Sequence, residues 1–282
     1  MESDRKSTTL DLIVKFGGAA ITDKSSLETL KPDQLDYGAS IIEECYKLGQ
    51  TVVVVHGAGS FGHHHASKYN INQGFFQGES HLGFCLTRQS VTKLNKHIVD
   101  SLISRNVPAV ACSPFPTWQT DKKAVVAWPK EVIQNVLTSR LVPVFHGDCV
   151  LDAAQGCCIL SGDLIIKTLC ENFNVKRVVF LTDVYGVYDR PPCSQGAKLL
   201  QQISTFADGI IEEHIHTSNI SQDVTGGMLN KLQAACSIVR MSRGKTRTFI
   251  CKIDSHDAVK LCIEQRENCK DLQATEIVLK QK

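Results

Sequence analysis

No run of about 18 consecutive apolar residues, the length a membrane-spanning helix needs, occurs anywhere in these 282 residues. Charge of one sign is lacking as well. The 31 Lys and Arg residues nearly balance 29 Asp and Glu, leaving a formal charge of +2 and excluding the basic stripe of a dedicated nucleic-acid binder. The opening MESDRKSTTL lacks the apolar stretch of a secretory signal and carries acids that a transit peptide avoids. Internal repeats, low-complexity tracts and clear linkers are absent too. There are 12 cysteines but no CxxC pair, so the expectation is reduced, mostly buried thiols in a cytosolic protein. Two phosphate-loop patterns are missing. GxxxxGK[ST] does not occur, and the GxGxxG spacing of Gly57, Gly59 and Gly62 is not followed by the acid a dinucleotide site requires.

What is present is an ordinary globular composition, 43% apolar and 21% charged, long enough to bury a substantial core. Strand-length apolar runs at 10–16, 51–56, 107–113, 141–152, 175–183, 246–253 and 274–279 alternate with longer helical patterns. The spacing predicts helices from Pro32 to about 48, over about 86–105, over 163–173 and over 226–241. The segment 114–129, with its prolines and tryptophans, reads as irregular or hairpin-like. This alternation predicts an α/β fold, an open αβα sandwich with a mostly parallel central sheet, forming one domain over 10–282 behind a flexible tail at 1–9.

The glycines fall where such a sheet does chemistry. KFGGAAITDK (15–24), HGAGSFGHHH (56–65), ILSGDLI (159–165) and VTGGMLNK (224–231) each bring small residues to a strand end or helix start. Parallel sheets bind ligands at the carboxyl ends of their strands. Glycine lets backbone N–H groups approach a phosphate, and a helix N-terminus adds a favourable dipole. Lysines accompany the glycines. Lys15 lies inside an otherwise apolar strand, where a charge is costly unless it faces a site. Lys24 follows nine residues on, and Lys231 sits one turn into the helix opened by Gly226 and Gly227. Such a set suits phosphoryl transfer, which needs positive charge and positioning more than covalent chemistry. On the residues alone, the histidine-bearing turn admits three readings: a metal site, a phosphate cradle or a plain loop.

Taken in order, KFGG, HGxGSFGH, SGD, LTDVYGVY and TGGMxxK resemble the amino acid kinase superfamily over about residues 10–280. Within it, ITDK and GSFGH resemble the isopentenyl phosphate kinases. The resemblance implies a dimeric αβα sandwich, with an acceptor lobe at about 10–170 and an ATP lobe at about 171–282. It implies phosphorylation of isopentenyl phosphate by ATP, with Mg2+ held mainly by the nucleotide phosphates. Lys15 and Lys24 would stabilise the transferring group, and Asp163 would orient the lysines. His63 would hydrogen-bond the acceptor's phosphate, near Gly57, Ala58, Gly59 and Gly162. ATP would lie along Lys15, Gly17, Gly18, Ala58, Asp183, Tyr188, Gly227 and Lys231. His64 and His65 have no role in this reading. Phe75, Phe76, Leu82 and Phe84 are candidate walls for the alkyl tail and equally candidate core.

Two positions depart from the pattern. Gly18-Ala19 stands where relatives often have GGS, and Gly57-Ala58-Gly59 where they often have GGG; the Ala58 methyl demands a compatible φ. Competing readings are an acetylglutamate, glutamate 5- or fosfomycin kinase-like phosphotransferase, and an idle binding protein on the same fold.

Overall fold

The computed structural model describes residues 9–75, 78–211, 227–263 and 272–280. Most of the expected tail, together with Phe76 and Gly226, lies outside them. The central sheet has eight strands, in the order Gln202–Thr205, Ala274–Leu279, Arg247–Lys252, Arg177–Thr182, Leu12–Phe16, Val52–His56, Val142–His146, Ala109–Cys112. The last six of these are mutually parallel. Ala274–Leu279 runs antiparallel to Arg247–Lys252 and carries Gln202–Thr205 along in parallel.

Strand alternation sorts the core into two layers. Leu12, Val14, Phe16, Val52 and Val54 pack on one face under helices Pro32–Lys47, Ser80–Ser104 and His256–Ile263. Ile13, Val53, Val55, Val178 and Phe180 pack on the other under Lys130–Thr138, Gly162–Asn172 and Gly227–Met241. The expected sandwich is therefore the observed one. No helix among the described residues is long and apolar enough to cross a membrane.

Two local readings need correction, and a third, the irregular or hairpin-like 114–129, is narrowed to one of its alternatives. The 141–152 run is two strands, not one. It breaks at Gly147 into Val142–His146 of the main sheet and Asp148–Asp152 of a second sheet, ordered Gly156–Leu160, Asp148–Asp152, Gln119–Asp121, Ala124–Ala127. An apolar run looks the same whether it serves one sheet or two. The long helix starts at Ser80 rather than 86. Gly83 weakens helix propensity, but a Cβ there would strike the Tyr69 side chain, so this glycine is a packing residue inside the helix. Finally, 114–129 contains a true hairpin, turning through Lys122 and Lys123 at φ of 49° and 67°, the left-handed pair a tight two-residue turn requires. Trp118 is buried behind it, 5.4 Å from Trp128.

Candidate active site

Leu12–Phe16 lies at the middle of the sheet, and the chain crosses to its two sides in turn. Its carboxyl end is thus a topological switch point, the place where open α/β sheets form a crevice. Three glycines extend the strand ladder past that edge. Gly17 N donates to Leu181 O at 2.8 Å, Gly57 N to Phe16 O at 2.9 Å and Gly147 N to His56 O at 3.1 Å. Beyond these bonds the first two turns interlock. A Cβ on Gly18 would lie 2.6 Å from Gly59 Cα, and one on Gly57 would lie 2.8 Å from Gly18 N. These positions exclude side chains because backbone packs on backbone there. Gly59 has the further constraint of φ +51°.

The interlocked turns floor a cavity of about 620 Å³. Every residue expected at the site lines it. Lys15, Lys24, Lys231, Asp163 and His63 are there, as are Gly17, Gly18, Gly57, Ala58, Gly59 and Gly162, and at the other end Asp183, Tyr188 and Gly227. Ala58 takes φ −71° and ψ −29°, ordinary right-handed values, so its methyl costs no strain. That methyl is accommodated because position 62 is glycine: a Cβ there would sit 2.5 Å from Ala58 Cβ.

Lys15 is 7% exposed and points to the face that carries helix Gly162–Asn172. Its Nζ lies 2.5 Å from Asp163 Oδ1. Ser161 caps that helix by accepting from Leu164 N, and Gly162 packs close to Val55 beside the lysine stem, where an added Cβ would lie 3.1 Å from Val55 Cγ1. An aspartate in the first turn also suits the helix dipole. Lys231 is nearly as buried, with Nζ 3.3 Å from Gly227 O. Cations therefore converge on the cavity from three different elements, while Asp163, beside Lys15, offsets part of that positive charge.

His63 sits one turn into helix Gly59–Lys68, on the cavity wall. Its imidazole is open to the water of the cavity yet surrounded by protein. That burial, with the charges of Lys24 and His64 adding to it, holds its pKa below the ordinary histidine value. His64 is exposed and His65 half-buried, and neither lines the cavity. Among the described residues no group of three or more His, Cys, Asp or Glu could hold a metal ion.

Of the residues left open between tail wall and core, Phe75 and Phe84 belong to the core. Phe75 stacks on His81 at 4.2 Å and Phe84 packs against Phe75 and Phe115, in a small core beside the site; Leu82 faces solvent. The walls beyond His63 are instead Ala66, Thr87, Val91, Cys149 and Ile159. Ile159 belongs to Gly156–Leu160, a strand that sequence patterning did not show, and its signal was only the short apolar run GCCIL. Asp148, at the same end, is neutralised: Arg88 Nε lies 3.2 Å from both its carboxylate oxygens and Ser113 donates at 3.1 Å.

The amino acid kinase family model matches residues 12–252. The chain belongs to the amino acid kinase family. Within it, the chain is 35% identical to isopentenyl phosphate kinase of Arabidopsis thaliana, over 85% of this chain and 87% of that one. It is likewise 35% identical to the Methanothermobacter thermautotrophicus enzyme of that name, over 79% and 84%. Acetylglutamate kinase of Nautilia profundicola matches at 24%. Among solved structures, an isopentenyl phosphate kinase superposes with TM-score 0.77 and 27% identity, over 96% of this chain and all of that one. The family's sandwich is shared more widely: UMP kinase from Ureaplasma parvum superposes at 0.60 with 14% identity, a likeness of fold alone.

Proposed function

We propose that this kinase transfers the γ-phosphoryl group of ATP to isopentenyl phosphate, yielding isopentenyl diphosphate and ADP. The observation that carries the reading is the single cavity that joins three lysines, four glycine turns and His63. An acceptor phosphate oxygen attacks the γ-phosphorus while the bond from that phosphorus to the β-bridging oxygen breaks. The nucleophile is already ionised, so no general base is required. The site agrees, since the carboxylates on its acceptor side are engaged: Asp163 by Lys15 and Asp148 by Arg88.

Lys15 and Lys24 neutralise charge on the transferring group, and Asp163 aims Lys15. His63 donates one N–H to the acceptor's phosphate. ATP runs along 182–193 and the start of the Gly227–Met241 helix, its phosphates toward Lys231, Gly17 and Gly18. Open backbone and lysines suit that polyphosphate, and Gly162 preserves the space a side chain would fill. Mg2+ would be held mainly by the nucleotide phosphates, with Asp183 and Asp163 the carboxylates lining this part of the cavity, and would supply positive charge to the transferring group. The lobes divide at about residue 170, and the enzyme works as a cytosolic homodimer. The eleven described cysteines, all free thiols, fit a reducing compartment.

Against an amino-acid acceptor stands the tail end of the cavity. Ala66, Val91 and Ile159 offer nothing to a second carboxylate, and the neighbouring guanidinium is already paired with Asp148. Turnover of isopentenyl phosphate by the purified protein, with acetylglutamate silent, is the expected assay result. Rapid turnover of acetylglutamate alone would overturn the reading.

A further inference from the structure

His56 and His146 are fully buried, although the proposed reaction uses neither. They are register partners on adjacent parallel strands, ring centroids 5.5 Å apart and stacked, and each is the last residue before a glycine that lines the cavity. Each ring holds that glycine's carbonyl: His56 Nδ1 lies 3.0 Å from Gly57 O, and His146 Nδ1 lies 3.1 Å from Gly147 O. A carbonyl only accepts, so both Nδ1 atoms carry the hydrogen.

For His56 the tautomer is set from the other side as well. Asn95, buried on helix Ser80–Ser104, places Nδ2 3.1 Å from Val144 O and 3.1 Å from His56 Nε2. The amide nitrogen must face the Val144 carbonyl, so it donates to Nε2, which is therefore unprotonated. The proton order runs from Asn95 through His56 to Gly57 O without ambiguity. Burial and the neighbouring His146 push the His56 pKa down to about 3, so the ring stays neutral and this order persists through the working pH range.

The consequence lies one bond further on. In a planar trans peptide the N–H points opposite to the C=O. With Gly57 O turned inward to the imidazole, the N–H of Ala58 turns outward to the cavity. Gly57 N is spent on Phe16 O, whereas Ala58 N has no acceptor among the described residues. Ala58 is the N-cap residue of helix Gly59–Lys68; Thr22 Oγ1 accepts from Ser60 N in the first turn at 3.0 Å and leaves the Ala58 N–H outside that bond.

We infer that His56 is a positioning residue: held by Asn95 and stacked on His146, it locks the Gly57–Ala58 peptide so that the Ala58 N–H is presented to the phosphate undergoing transfer. This inference rests on the kinase reading. It adds that a backbone donor works at this turn beside the His63 side chain, and that a buried histidine remote from the substrate aims it. It also accounts for a histidine, rather than another valine, ending the VVVVH strand.

The experiment compares His56→Leu with His56→Asn. Leucine fills the space but cannot donate to Gly57 O, whereas the asparagine amide reaches the Nδ1 position. With ATP and isopentenyl phosphate, His56→Leu is expected to lower kcat ten- to hundredfold with a smaller change in either KM, and His56→Asn to recover most of it. A second readout needs no turnover. In 15N-alanine-labelled protein the Ala58 amide shifts on titration with ADP and inorganic phosphate in wild type and His56→Asn, and stays still in His56→Leu. Wild-type kcat in His56→Leu, equal loss in both variants at matched thermal stability, or an unmoved Ala58 amide in wild type would each overturn the inference. An inactive wild type whose Ala58 amide still responds would instead sink the acceptor assignment and leave this inference standing.

Discussion

Removal of the His63 imidazole tests the acceptor site through one side chain. The ring lines the cavity and remains open to its water, so His63→Ala deletes little buried surface and folding survives. Its depressed pKa means the free enzyme carries a neutral imidazole at pH 7, with one N–H to donate. A hydrogen bond to a charged group contributes about 1.5–3 kcal/mol, which is roughly ten- to 150-fold in kcat/KM at 1.36 kcal/mol per decade. The loss is expected to fall on the KM for isopentenyl phosphate and to leave the KM for ATP nearly unchanged, because the proposed nucleotide path runs along 182–193 and 227–231. His63→Gln or His63→Asn restores part of it. A bound phosphate dianion also offsets the cationic influence of Lys24, so acceptor binding raises the His63 pKa and draws up a proton; 13C-labelled histidine spectra with and without acceptor read this directly. Steady-state kinetics on these variants, with His64→Ala and His65→Ala as controls off the cavity wall, decide the matter. A silent His63 beside a critical His64 or His65 would refute the reasoning.

Lys15→Ala and Lys24→Ala each lower kcat by roughly two powers of ten, the scale of one lost electrostatic stabiliser; Lys15→Ala also lowers the melting temperature, because Asp163 keeps a partly buried charge without its partner. Near-normal kcat in Lys24→Ala would show that lysine to be idle. Gly62→Ala places a methyl 2.5 Å from Ala58 Cβ and destabilises by about 1–3 kcal/mol. Adding Ala58→Gly restores the melting temperature, and a purely additive double mutant would contradict the proposed contact. Acid unfolding carries the His56 signature. Its folded pKa of about 3 lies below the unfolded value, so the unfolded state binds the extra proton and stability falls as pH drops from about 6.5 toward 3. His56→Asn flattens that slope in urea titrations, and an unchanged slope would contradict the burial argument.

The layers of this fold are written in local periodicity. LIVKF and VVVVH are apolar on both faces because both faces are covered, and the lysine in the first of them marks the one edge that faces a site. The glycine turns were equally visible, but their physical reason was not. Sequence offers phosphate approach as the explanation, whereas Gly18, Gly57 and Gly59 are glycine first because two turns pack backbone to backbone. Ala58 shows the same limit, since its tolerance depends on Gly62, four residues away and one helical turn on. The tail end of the cavity stayed hidden because Val91, Cys149 and Ile159 come from three elements whose juxtaposition is tertiary. Phe75 and Phe84 could be wall or core on sequence alone, and the structure makes Phe84 core with Phe75 packed against it. His56 was passed over for a related reason: nothing local separates a histidine that fills space from one that orders a peptide.

The central claim is the identity of the acceptor, and it is tested most directly by steady-state kcat/KM across isopentenyl phosphate, acetylglutamate, glutamate, carbamate and UMP, each with ATP and Mg2+. The account predicts efficient turnover of isopentenyl phosphate, with formation of isopentenyl diphosphate and ADP in equal amounts, and values at least a hundredfold lower for the others. A higher kcat/KM for any acceptor with a carboxylate or a base in place of the alkyl tail would contradict it.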